Sequence, residues 1–219
     1  MLKSQSLQSF NDVTGYKFEK DRPLVPPTLT SDAYNVRRTY DAAEVIGSGT
    51  YGKVYRYISD DQRFQIVVKL LKKRPEDCLD TSNYIRCSSS RTSHVIQQRC
   101  LGNGVLILSP MDGDLGRATI GTMTEATVCI AALFKGLQCI NNGWYTDIKP
   151  GNTLWERRWR WEKLPGGKKR KQEYTYYCLG DLETCQPNSK RGAVTTYSPP
   201  ERLTVRPRKD CRESNTVFG

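Results

Sequence analysis

The apolar positions along this chain fall first into runs of strand length and then into one helical stripe. Residues 1–37 are polar, carry Pro23, Pro26 and Pro27 and show little periodicity, which predicts an extended, flexible arm. The pattern changes at residue 38. Tyr40 to Ile46 runs into glycines, Lys53 to Ile58 follows, and Phe64 to Leu71 is a β-rich run after the turn-prone Ser59-Asp60-Asp61. Residues 73–92 are polar, with room for one short helix. Val95 to Cys100 and Val105 to Leu108 read as two strands around Gly102-Asn103-Gly104. Thr122 to Asn141 carries the strongest helical signal. There Ala126, Ile130, Leu133, Phe134, Leu137 and Ile140 recur at three- and four-residue steps, and Asn142-Gly143 end the run. Trp155 to Trp161 and Gln172 to Leu179 then read as strands joined by Leu164-Pro165-Gly166-Gly167. Alternation puts Trp155, Arg157, Trp159 and Trp161 on one face. Five strands, one helix, a loop and a hairpin predict an α+β fold, a small antiparallel β lobe followed by a mainly helical one.

Composition narrows the class. The chain has 219 residues, 37% of them hydrophobic, and a mean hydropathy of −0.63, enough for a real core in one domain or two lobes. No apolar run reaches the ~18 residues of a membrane span. Met1-Leu2-Lys3-Ser4-Gln5-Ser6 leads into no apolar core of a secretory signal, so an intracellular, non-secreted protein is expected. Eight cysteines are scattered without a C-x-x-C pair, and His94 is the single histidine, which favours free thiols over a zinc site or disulfides. Net charge is +11, but eight Lys/Arg against Glu162 in residues 157–171 supply +7 of it. That is one local patch. It does not imply a general nucleic-acid-binding surface.

The chemistry gathers in Tyr145-Thr146-Asp147-Ile148-Lys149-Pro150-Gly151-Asn152-Thr153-Leu154. Pro150 disfavours helix at Lys149, and Gly151 admits backbone angles closed to other residues. A carboxylate, an ammonium and an amide can therefore converge on one point. Such a set suits a hydroxyl nucleophile, a transferring phosphoryl group and Mg²⁺. Upstream, Gly47-Ser48-Gly49-Thr50-Tyr51-Gly52-Lys53-Val54 is a G-x-G-x-x-G-x-V string. Dinucleotide folds use the same spacing but need a helix after the third glycine. Here Val54-Tyr55-Arg56-Tyr57-Ile58 is β-branched and aromatic, so the glycines sit between two strands. Lys69 lies at the end of the apolar run from Gln65 to Val68, a position open to a ligand or to simple snorkelling.

In order and spelling these elements resemble the protein kinase superfamily, specifically eukaryotic-type Ser/Thr kinases, in a divergent and C-terminally short form. The small size and unusual spellings resemble kinases of large DNA viruses such as herpesviruses. The resemblance implies ATP and Mg²⁺ as cofactors and protein hydroxyls as substrates. Asp147 and Lys149 would be catalytic, and Asn152 and Asp181 would hold the metal. Ile46, Gly47, Ser48, Gly49, Thr50, Tyr51, Gly52, Val54 and Lys69 would bind the nucleotide, with Met111 and Asp112 at the hinge. Glu76 is the candidate partner of Lys69, and Glu201, in Ser198-Pro199-Pro200-Glu201, matches the end of an activation segment. The implied division is an arm at 1–37, a small lobe at 38–110 and a partial large lobe at 111–219, with a basic hairpin inserted at 155–179.

The departures carry their own expectations. Asp181-Leu182-Glu183 replaces Asp-Phe-Gly, and Thr146 stands where many kinases place an Arg. The resemblance also implies large-lobe helices without counterparts here. A catalytically inactive kinase-like binding module is therefore the alternative. Arg157-Arg158 and Lys168-Lys169-Arg170-Lys171 have the spacing of a bipartite nuclear import signal, so an import receptor or an acidic partner is the expected ligand there. Nucleus or otherwise cytoplasm follows. A solvated charged tip explains the hairpin equally well, and nucleic acid ranks last, helped by Trp155, Trp159 and Trp161.

Overall fold

The computed structural model describes residues 2–14, 16, 24–72, 94–140, 143–145, 147–182 and 185–187. Its first body is a curled sheet of β1 (Lys3–Ser4), β2 (Leu29–Ala33), β3 (Val36–Ser48), β4 (Gly52–Ser59), β5 (Phe64–Leu71), β6 (Gln98–Cys100) and β7 (Val105–Leu108). Spatial order is β2-β3-β4-β5-β7-β6, antiparallel throughout, with β1 added in parallel at the start of β5. Strand parity sorts the two faces. On β5 the even positions Ile66, Val68 and Leu70 join Tyr40, Tyr55, Tyr57, Val105 and Ile107 in one core. The odd positions Gln65, Val67 and Lys69 face a cleft on the other side.

The expected flexible arm is, in its described part, packed structure. Leu7, Phe10 and Leu29 are buried against the sheet's outer face, and β2 pairs with β3 from Leu29↔Tyr40 to Ala33↔Val36. Arg99 Nη1 donates to the carbonyls of Leu7 (3.1 Å), Gln8 (3.2 Å) and Phe10 (2.6 Å) and fastens the segment. Isolated apolar residues without a period leave no amphipathic signal, yet each can fill a hole in a sheet face.

The second body contains β8 (Gly113–Asp114), α1 (Met123–Cys139), β9 (Gly143–Tyr145), β10 (Thr153–Lys163), β11 (Lys169–Leu179) and β12 (Cys185–Pro187). Among the described residues it holds one helix and five strands, so the mainly helical expectation is corrected here. α1 opens on a capping box: Glu125 N–H donates to Thr122 Oγ1 (3.1 Å) and Thr122 N–H to Glu125 Oε2 (3.2 Å). Its buried face matches the expected stripe only in part. Cys129, Ala132 and Gly136 are buried, whereas Ile130 and Phe134 are 55% and 64% exposed. Small residues decide the contact: a Cβ on Gly136 would lie 2.5 Å from the His94 carbonyl oxygen. Leu133, Leu137 and Ile140 do pack, joining Leu106, Tyr176, Cys178 and Leu179 in a core beneath the cleft.

β10 and β11 pair without a break from Thr153↔Leu179 to Lys163↔Lys169, longer than expected, and Pro165–Gly167 makes the turn. Cys100, Cys129, Cys139 and Cys178 are free thiols. Among the described residues no helix is long and apolar enough to cross a membrane. The helix expected in 73–92, Glu76 with it, and Thr146, Glu183 and Glu201 lie outside the described residues.

Candidate active site

The glycine string folds as the tip between β3 and β4. Gly47 pairs with Val54 and Ser48 with Lys53, and Gly49 N–H donates to the Gly52 carbonyl (2.9 Å). Only Gly52 is enforced by packing, since a Cβ there would lie 2.2 Å from the Leu70 carbonyl oxygen. Gly49 faces open space, and its carbonyl accepts from Lys72 Nζ (2.8 Å), a contact the sequence reading missed. Burial raises the Tyr51 phenol above its ordinary pKa, and the charges of Asp181 and Asp147 raise it further.

Lys69 stands in β5 between Val54 of β4 and Leu106 of β7. It is 8% exposed, and its Nζ is ion-paired with Asp181 Oδ1. Asp181 adopts a left-handed backbone (φ 53°) just past β11, an uncommon conformation for a non-glycine that turns its carboxylate toward the sheet.

The loop of Asp147 to Asn152 is knitted locally. Pro150–Asn152 form a single 3₁₀ turn, and Asn152 N–H donates to the Lys149 carbonyl (3.0 Å). Asn152 Nδ2 donates to the Asp147 carbonyl (3.0 Å) and to Asp147 Oδ2 (2.9 Å), which leaves its Oδ1 as the acceptor end. Lys149 Nζ donates to the same Oδ2 at 2.6 Å. Asp147 is 2% exposed, and among the described residues its other oxygen, Oδ1, is buried without a hydrogen-bond partner. An orphaned carboxylate oxygen is costly, and at a reactive centre it marks the atom that awaits a proton or a donor. The Asn152 carbonyl accepts from Gly180 N–H (2.8 Å), which ties this loop to Asp181.

These groups share one cleft of about 920 Å³ between the sheet and the β8–β10 layer. Its walls include Ile46 to Gly52, Val54, Lys69, Met111, Asp112, Lys149, Asn152 and Asp181. Asp147 lies behind Lys149 and Asn152 rather than on the wall. Val67, Leu108, Leu154 and Trp155 also line it and were missed by the sequence reading. For Val67 the signal was present, because it shares strand parity with Lys69. Between β7 and β8 Ser109 N–H donates to the Gln97 carbonyl (3.0 Å) and Asp112 N–H to the Trp155 carbonyl (2.9 Å), while Pro110 has no donor. Met111 is thus the residue of this connection whose N–H has no partner among the described residues.

Two carboxylates and an amide form a hard oxygen donor set. No cluster of three His, Cys, Asp or Glu occurs among the described residues. One or two carboxylates with phosphate oxygens completing the shell is the environment Mg²⁺ takes, so Asp181 and Asn152 fit that ion.

No family model matches the sequence, and no curated protein matches it. Among solved structures the chain is similar to a crystal structure described as the kinase domain of PF14_0431. The identity is 16% and the TM-score 0.49, covering 69% of this chain and 52% of that one. The chain therefore spans about half the length of that neighbour.

Proposed function

We propose that this chain is a protein kinase that transfers the γ-phosphate of ATP to serine or threonine hydroxyls of proteins. The observation that carries this reading is convergence: Lys69 from the sheet, Asp181 from the end of β11 and the Asp147–Lys149–Asn152 loop meet under one glycine hairpin. In this reading residues 38–110 and 111–219 are the two lobes. The adenine edge lies against Val54, Leu108 and Leu154 and is oriented by the Met111 N–H. Lys69 holds the α/β-phosphates, and backbone N–H groups of Gly47 to Gly52 cover them. Asn152 Oδ1 and Asp181 would hold Mg²⁺, which supplies charge neutralisation between the phosphates. Lys149 leaves Asp147 Oδ2 for the γ-phosphoryl oxygens, which opens the path to Oδ1. The substrate hydroxyl then hydrogen-bonds Asp147 Oδ1, its oxygen bonds to the γ-phosphorus, the bond to ADP breaks and the proton passes to the carboxylate. Lys149 two residues after Asp147 is the spelling that favours Ser/Thr over Tyr.

Radiolabelled ATP with Mg²⁺ and a mixed protein substrate tests this. Phosphoserine and phosphothreonine are expected, and both vanish in Asp147→Ala. Transfer that survives Asp147→Ala, or phosphotyrosine alone, overturns the assignment. The enclosure of Asp147 favours a second reading, an inactive nucleotide-binding module. A thermal shift with Mg-ATP but no phosphate transfer by the wild type selects it.

A further inference from the structure

The two faces of the β10–β11 hairpin differ in how their cations are used. Toward the tip, the face of Arg158, Arg160 and Arg170 is self-satisfied. Arg158 lies 3.5 Å over the Tyr176 ring and donates to Glu156 (2.7 Å), Arg160 donates to Gln172 (2.9 Å), and Arg170 donates to Glu162 (2.8 Å). The opposite face holds Trp159 and Trp161, which are 54% and 69% exposed. Strand register sets Arg157, Lys163, Lys169 and Lys171 on that same side, with Glu173 its one carboxylate. Arg157 reaches Asp112 only at 3.9 Å, and Lys171 Nζ lies 4.4 Å over Trp159, on one side of its ring.

We infer that this face is a binding platform for single-stranded nucleic acid. Two indoles two residues apart on one strand stand about 7 Å from each other, a spacing an unstacked strand can follow base by base. Four cations against Glu173, with Asp112 beside Arg157 at the base of the face, supply the phosphate complement. Exposed tryptophan pairs are rare on surfaces without a partner, because each leaves a large apolar area in water. An acidic peptide would use the cations and leave the rings idle. An import receptor reading an extended signal would have to open the hairpin, since both basic clusters are held in or beside its ladder. The platform does not depend on the kinase reading.

Fluorescence anisotropy of a labelled 15-mer oligo(dT) on the full chain tests it. Binding is expected, with a log–log salt slope of about −3 if four phosphates are neutralised. Trp159→Ala/Trp161→Ala should weaken it at least about 10-fold at unchanged melting temperature, and Trp159→Phe/Trp161→Phe should restore most of the loss. Lys169→Gln/Lys171→Gln should roughly halve the salt slope. Affinity unchanged by removing both indoles overturns the platform. So does a duplex of the same length binding as tightly, or polyglutamate displacing the oligonucleotide as well as unlabelled oligo(dT) does, which would assign the face to an acidic protein.

Discussion

Two lysine–carboxylate pairs bring their lysines to the same cleft, and they are made in opposite ways. Lys149 and Asp147 are two residues apart, joined by a loop that Pro150 and Gly151 turn. Lys69 and Asp181 are 112 residues apart, and they meet only when the sheet, the hinge and β11 are all in place. The first pair reports local backbone geometry and the second reports assembly of the site. A fragment could form the loop without the cleft; it could not form the cleft without the long-range pair.

The largest effect should come from the local pair's carboxylate. Asp147→Asn should lower phosphate transfer by about 10²–10⁴-fold with Mg-ATP binding retained, as read by kinetics beside a thermal shift. Next, Lys69→Met should lower transfer by about 10²–10³-fold and also lower the melting temperature, because it removes the buried Lys69–Asp181 ion pair. Adding Asp181→Asn should recover stability but not transfer. Lys149→Met should cost transfer and lower the melting temperature less than Lys69→Met does, since Lys149 is 35% exposed and the buried Asp147 Oδ2 keeps the Asn152 amide as a donor. Equal destabilisation by the two lysine variants would erase the distinction.

Smaller effects sharpen it. Gly52→Ala should destabilise by about 1–3 kcal/mol because its Cβ meets the Leu70 carbonyl, while Gly49→Ala should stay within about 0.5 kcal/mol in urea melts. Asp61 is a control carboxylate remote in chemistry. The Ser59 hydroxyl first, then Arg38 and the Arg63 N–H, hold its pKa down at about 2 against 3.8. A depressed folded-state pKa contributes stability above the unfolded value and loses it as pH falls through the folded one. Asp61→Asn should therefore melt slightly below wild type at pH 6, converge with it by pH 2 and leave transfer unchanged.

What could be read without coordinates follows from range. β4, β5 and β7 are apolar runs bounded by turns, and Asp147, Lys149 and Asn152 lie close enough in sequence for a turn to gather them. The pairing of Lys69 with Asp181 has no local signature: the resemblance gave Lys69 the partner Glu76 and gave Asp181 to the metal. The helix was found by its period and the Asn142-Gly143 stop, but only Leu133, Leu137 and Ile140 of its expected stripe pack against the core. Counting large apolar residues picks Ile130 and Phe134, whereas close approach to the His94 backbone picks Ala132 and Gly136. The packed N-terminal segment was missed because Leu7 and Phe10 are single residues whose partners come much later.

That delay has a consequence for synthesis. Arg99 clasps carbonyls 89 to 92 residues before it, so the outer roof of the sheet cannot close until that arginine leaves the ribosome. At translation rates of about 5–20 residues per second, Leu7 and Phe10 wait in water for roughly 5–20 s. Through that interval the newborn chain presents the apolar Leu7 and Phe10 to whatever binds nascent polypeptides.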